Sequence, residues 1–174
     1  AAGLSLGEYS ALYAAGVFDQ ATALDLVRYR GQAMEEAVQG IDSKMVAVLG
    51  LDRALVEQAV SEGSKVGLVQ AANYNCPGQI VIGGEVAAVD KAAEVALELK
   101  AKRVVPLNVS GPFHTSLLEP ASKKLAEKLN QVSFGNMNIP VVFNTTAKEL
   151  QPDETISGLL TKQIMSSVYL EDSI

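Results

Sequence analysis

The sequence predicts an α/β fold on three observations. Short β-branched runs, at residues 45–49 and 79–82, alternate with stretches whose apolar residues recur at helical spacing. Over about residues 44–108 the order is strand, helix, strand, strand, helix, strand, that of a ferredoxin-like βαββαβ unit. The chain also opens on Gly3-Leu4-Ser5-Leu6-Gly7, a Gly-x-Ser-x-Gly turn feeding a helix-like run, the form of a nucleophile elbow.

Each element has a local reason. Residues 8–15 make a short helix stopped by Gly16. Asp19 caps a longer helix to about Val38, with Ala23, Leu26, Val27, Ala33, Met34 and Ala37 on one stripe and Arg30 among them. Residues 45–49 read as a strand, and Asp52 caps a helix carrying Leu55, Val56, Ala59 and Val60. Residues 66–71 read as the second strand and 73–78, Asn-Tyr-Asn-Cys-Pro-Gly, as a loop dense in turn formers. A third strand at 79–82, a helix from 86 to about 100 and a fourth strand at 103–107 follow. Ser116-Leu117-Leu118-Glu119 has capping-box form and opens a helix to about Gln131. Residues 140–144 predict another strand, and 155–165 a last helix with Gln163 on the side of Ile156, Leu159, Leu160 and Ile164.

Composition excludes several classes. A length of 174 residues with 48% hydrophobic content suits one domain, or one and a fraction. No apolar run approaches the ~20 residues of a membrane span, and with no charged-then-apolar segment a secretion signal is not expected. The single Cys76 has no internal disulfide partner, which fits a reducing, cytoplasmic setting. Without a Cys/His cluster neither a metal nor a cofactor is expected. A net charge of −6 and few aromatics argue against a nucleic-acid partner. Two basic groups, Lys100/Lys102/Arg103 and Lys123/Lys124/Lys128, read as solvated faces or as landing sites for an acidic partner. Only two residues precede the elbow where a strand is expected, and the last residues carry no stop signal. The expectation is a middle portion of a larger protein.

Four residues carry the candidate chemistry. Ser5 would be the nucleophile, with the Leu6 N–H turned toward an oxyanion; the alternative is a serine in a plain Gly-rich turn. His114, the one histidine, lies in a loop before a helix and is the single imidazole able to act as base, unless it is structural. Arg30, on a core-facing stripe, needs an anion: an internal salt bridge, water reached by snorkelling, or a substrate carboxylate. Gln163, an amide on an apolar side, needs partners in the same way.

Together these segments resemble the malonyl-CoA:acyl-carrier-protein transacylase family and related acyltransferase domains. The matching stretches are residues 3–12, 29–34 (Tyr-Arg-Gly-Gln-Ala-Met), 73–84 and 109–117 (Val-Ser-Gly-Pro-Phe-His-Thr-Ser-Leu), in the family's order. The resemblance implies Ser5 as nucleophile, His114 as base, and Gln163 as the residue whose main-chain carbonyl orients the imidazole. It implies Arg30 as the anchor of the malonyl carboxylate, Leu6 as an oxyanion donor, and Phe113 as a ring that crowds a 2-methyl group. Leu4 stands where many members have His. The family's Gly-Gln-Gly segment, source of a second oxyanion donor, and its closing Gly-rich segment are not in this chain.

The implied fold is a hydrolase-like parallel-sheet large subdomain, incomplete here, made by residues 1–43 and 108–174. Residues 44–107 would be the inserted ferredoxin-like subdomain. The implied activity is malonyl transfer from malonyl-CoA to the phosphopantetheine thiol of acyl carrier protein in fatty acid biosynthesis, by a monomer. A serine hydrolase such as a thioesterase or esterase shares the elbow but normally wants a carboxylate behind the histidine. A non-catalytic fragment is the third reading.

Overall fold

Apolar stripes at helical spacing bring four helices around one core. In the computed structural model, which describes residues 1–174, α1 (Leu6–Ala14) and α2 (Gln20–Ala37) come first. Asp19 caps α2, its side chain accepting from the Thr22 N–H at 2.7 Å. Then follow β1 (Ser43–Leu49), α3 (Arg53–Gly63), β2 (Val69–Cys76), β3 (Gln79–Glu85), α4 (Val86–Glu98) and β4 (Arg103–Pro106). A 3₁₀ turn at Ser116–Leu118 leads into α5 (Glu119–Leu129). The chain continues through β5 (Val142–Phe143), β6 (Lys148–Glu149), α6 (Ile156–Gln163) and β7 (Val168–Tyr169).

The sheet order is β4-β1-β3-β2-β7, and the first four strands pair antiparallel, as the βαββαβ reading expects. β7 joins β2 in parallel through Asn73–Val168 and Tyr74–Tyr169. Period-2 alternation in β1 sends Val46 and Val48 to the side covered by α3 and α4, where Ile80, Ile82, Val89 and Ala92 meet them. Met45 and Ala47 face the other way with Val81, against Phe113 and Leu107. Both faces are therefore buried, and the second one borders the site.

A separate core gathers α1, α2, α5 and α6, through Tyr9, Leu12, Leu26, Leu125, Leu160 and Ile164, with Phe143 of β5 among them. Each fully buried side chain of this size contributes about 1.5–3 kcal/mol. Outside the five-stranded sheet the only strand pairing is β5 with β6, so residues 1–42 and 108–141 pack as helices and loops. No helix is long and apolar enough to cross a membrane.

Four sequence expectations shift. The second strand starts at Val69, not residue 66, because the turn that ends α3 consumes the chain up to Leu68. It then runs through Asn73-Tyr74-Asn75, where a loop is expected. Pairing with β3 outweighs turn propensity there, irregularities at Ala71/Asn73 and Tyr74/Cys76 absorb the misfit, and only Pro77-Gly78 turns, with Gly78 at φ 76°. The capping box does not form: Ser116 lies in the 3₁₀ turn and its side chain caps nothing. The α-helix begins at Glu119 with Pro120 in its first turn, where a missing N–H is harmless, and Glu119 pairs with Lys123. The strand expected over 140–144 contracts to Val142–Phe143.

Candidate active site

The turn into α1 holds Ser5 at φ 53°, ψ −105°, a sparsely populated backbone conformation costing on the order of 1–3 kcal/mol. A Cβ at Gly3 would stand 2.2 Å from the Gly7 carbonyl oxygen, whereas one at Gly7 would meet nothing within 4 Å. So only the first elbow glycine is sterically required, although the motif suggests both. Gly3→Ala should destabilise the protein by about 1–3 kcal/mol. Gly7→Ala should be neutral or stabilising by about 0.5–1 kcal/mol, as for a helical glycine with open space at its Cβ. Denaturant midpoints of the two variants check this.

Ser5 Oγ lies 2.7 Å from His114 Nε2, and His114 Nδ1 lies 2.8 Å from the Gln163 main-chain oxygen. A carbonyl only accepts, so Nδ1 holds the proton and Nε2 is free to accept from the hydroxyl. His114 itself sits at φ 61° in the loop before α5. That loop is tied by the Thr115 hydroxyl donating to the Pro112 carbonyl at 2.6 Å and by the Ser116 N–H donating to Gln70 Oε1 at 2.7 Å. Burial, with a smaller contribution from the Arg30 charge, pushes the imidazole down to about 4, so it is neutral at pH 7.

Arg30 is 5% exposed and pairs with no carboxylate of the chain. Its Nη2 donates to Ser5 Oγ at 2.8 Å and to Gln163 Oε1 at 3.2 Å, its guanidinium lies 5.6 Å from the Tyr9 ring centre, and its buried Nε donates to nothing. Neither an internal salt bridge nor snorkelling satisfies it. Desolvation lowers its pKa against the smaller opposing effects of Tyr9 and Glu8, yet a guanidinium stays cationic, so the site holds a cation with no carboxylate bonded to it.

Gln163, fully buried, links all three: its carbonyl meets His114, its Oε1 meets Arg30, and its Nε2 donates to the Ser5 carbonyl at 2.9 Å. The Leu6 N–H, first in α1, makes no hydrogen bond within the protein, as the orphan donors of a helix start do. Phe113 is half-buried between the helical core and the second face of the sheet. Ser5, Leu6, Arg30, Phe113 and His114 line one open cavity of about 560 Å³, with Met45 and other apolar groups, and the polar Glu35, Asn73 and Ser110, completing its wall. A larger cavity, about 660 Å³ beside Gly16 and Lys128, holds no such pairing of nucleophile and base.

Sequence reasoning missed two residues of this network. Asn144 and Glu8 are both buried, and the Asn144 N–H donates to Glu8 Oε2 at 2.6 Å. Burial raises the Glu8 carboxyl to about 7. The available signal was positional: Glu8 follows Ser5 by three residues, and Asn144 is the polar residue that ends an apolar run. Of the basic groups, Lys123, Lys124 and Lys128 are engaged by Glu119, Glu36 and Asp25. Lys100, Lys102 and Arg103 are exposed and carry no ion pair.

Residues 1–173 match the model of the acyl transferase domain. The malonyl CoA-acyl carrier protein transacylase of Bacillus subtilis is 45% identical over 174 residues, covering 99% of this chain and 55% of that protein. A crystal structure of MCAT from Streptococcus pneumoniae superposes with a TM-score of 0.92 at 54% identity, over 99% of this chain and 56% of that one. A malonyl-transacylase in complex with a type II polyketide acyl-carrier protein superposes with a TM-score of 0.94 at 41% identity, again over 99% and 56%. The chain thus spans a little over half the length of these relatives. On this match, which takes in Ser5, Arg30, His114 and Gln163 alike, the chain belongs to the acyl transferase domain family.

Proposed function

We propose that the protein transfers a malonyl group from malonyl-CoA to the phosphopantetheine thiol of an acyl carrier protein, through a malonyl ester on Ser5. It would do so in fatty acid biosynthesis, as a cytoplasmic monomer in which residues 44–107 form one subdomain and 1–43 with 108–174 the other. The observation that carries this reading is a single cavity holding both a serine–imidazole pair and a buried guanidinium that makes no ion pair. An acyl transfer needs the first; an acyl group bearing a carboxylate needs the second. The names of the relatives support the choice of malonyl and of a carrier protein.

His114 Nε2 takes the Ser5 proton as Oγ attacks the thioester carbon. The oxyanion meets the Leu6 N–H at the positive end of α1. The C–S bond breaks, and His114 returns the proton to the departing coenzyme A thiolate. In the second half the carrier thiol gives its proton to His114, its sulfur attacks the ester, and Ser5 leaves with the proton restored. Gln163 needs only its main-chain oxygen to hold the imidazole, so no carboxylate stands behind the base. Arg30 keeps the malonyl carboxylate fixed through both halves, and Phe113 narrows the room at C2. The unpaired Lys100, Lys102 and Arg103 offer an acidic carrier a docking face.

Incubation with malonyl-CoA followed by intact mass tests this. A lasting adduct of malonyl mass, mapped to Ser5 and discharged by carrier protein, is expected. Rapid release of free malonate instead would make the protein a hydrolase, and no adduct would make it non-catalytic. The acylation rate should also be flat from pH 8 down to about 5 and fall only near pH 4, where the imidazole gains its proton. A fall centred near 6.5, the ordinary histidine value, would show that burial does not hold His114 neutral.

A further inference from the structure

Asn144 is wholly buried, and each of its polar groups is engaged. Its Oδ1 accepts from the Ser5 N–H at 2.6 Å, and its Nδ2 donates to the Gly3 carbonyl at 2.8 Å. Its own N–H donates to Glu8 Oε2 at 2.6 Å, and its carbonyl accepts from the Tyr169 N–H at 2.8 Å. One side-chain amide therefore clips both ends of the segment entering the elbow. Gln163 Nε2 holds the Ser5 carbonyl, so the peptide groups on both sides of the strained residue are fixed. An off-minimum backbone persists only when its surroundings over-determine it.

We propose that Asn144, anchored by Glu8 and by the Tyr169 main chain, is a positioning residue that fixes the Ser5 backbone and thereby aims Oγ at His114. The anchor is robust: Oε1 of Glu8 has no partner, so a proton can sit there while Oε2 still accepts from Asn144. The inference rests on the reading of Ser5 as nucleophile, but not on the identity of the acyl group.

The test is the rate at which a fluorophosphonate labels Ser5 in the full-length protein, since this probe needs no acyl recognition. Asn144→Ala should slow labelling about 10- to 100-fold, the effect of misplacing a reacting atom by an ångström or less. Asn144→Asp offers a readout that a merely structural role would not move. Its protonated carboxyl keeps both contacts, the O–H donating to Gly3 and the C=O accepting from Ser5. Its ionised form has no proton for Gly3. Labelling of this variant should therefore match the wild type at low pH and fall as the new carboxyl ionises, at a pH raised by burial. Glu8 is bonded to this position, Arg30 acts on Glu8 and His114 is bonded to Ser5; the wild-type profile over the same range reports their titrations. If Asn144→Ala does not fold, the limb in Asn144→Asp decides: its presence supports the role and its absence overturns it. Equal labelling of the alanine variant and wild type overturns the positioning role and leaves the nucleophile reading standing. Failure of wild-type Ser5 to label removes both.

Discussion

His114→Ala should lower the rate of Ser5 acylation by roughly 10²- to 10⁴-fold, the usual contribution of a positioned general base. The chain has one histidine, so no second imidazole can take over. Nothing else within hydrogen-bond reach of Ser5 Oγ can accept a proton, because its other neighbour, Arg30 Nη2, is a donor. The loss should appear in the acylation step itself, seen as slower growth of the malonyl adduct in a rapid-quench experiment. Ser5→Ala in the same assay should give no adduct. Stability falls less than activity: the change leaves the buried Gln163 carbonyl without the Nδ1–H, a deficit of about 1–3 kcal/mol. It also puts an alanine at φ 61°, where histidine is better tolerated. Unchanged acylation with a folded variant would remove His114 from the role of base.

How much of this was legible depended on the range of the interactions. The βαββαβ unit was readable because its strands and helices have different periods and its breakers are strong. Asn73–Asn75 were not, because their conformation is set by pairing with Ile80 and Val81 and not by local turn propensity. Ser5 and His114 were readable from residue type and local setting, and Arg30 and Gln163 from being polar on apolar stripes. That Ser5 and His114 meet, 109 residues apart in sequence, follows only from packing. Asn144 left almost no trace: its bond to the Ser5 N–H spans 139 residues and belongs to no local pattern. Glu8 stands in the first turn of α1, where an acid complementing the helix dipole is ordinarily exposed, and only the fold buries it.

Arg30→Ala should reduce malonyl transfer by about 2–4 kcal/mol, roughly 30- to 1000-fold in kcat/KM, and acetyl transfer far less. Malonyl and acetyl differ by one carboxylate, so only the former can use the guanidinium. The size of the effect follows from desolvation. The cation is already buried without a carboxylate partner, so its removal from water is charged to folding, and an incoming anion meets donors that need no further dehydration. The carboxylate contact exists before and during reaction, so the loss should fall mainly on KM. Arg30→Lys should recover only part of it, since an ammonium cannot reproduce a planar two-donor fork. The bonds from Arg30 Nη2 to Ser5 Oγ and Gln163 Oε1 add a complication, because alanine also removes a donor from the nucleophile. That effect is common to both acyl groups, so the ratio of malonyl to acetyl kcat/KM isolates the carboxylate. A ratio unchanged from wild type would mean that the guanidinium serves the serine and not the substrate.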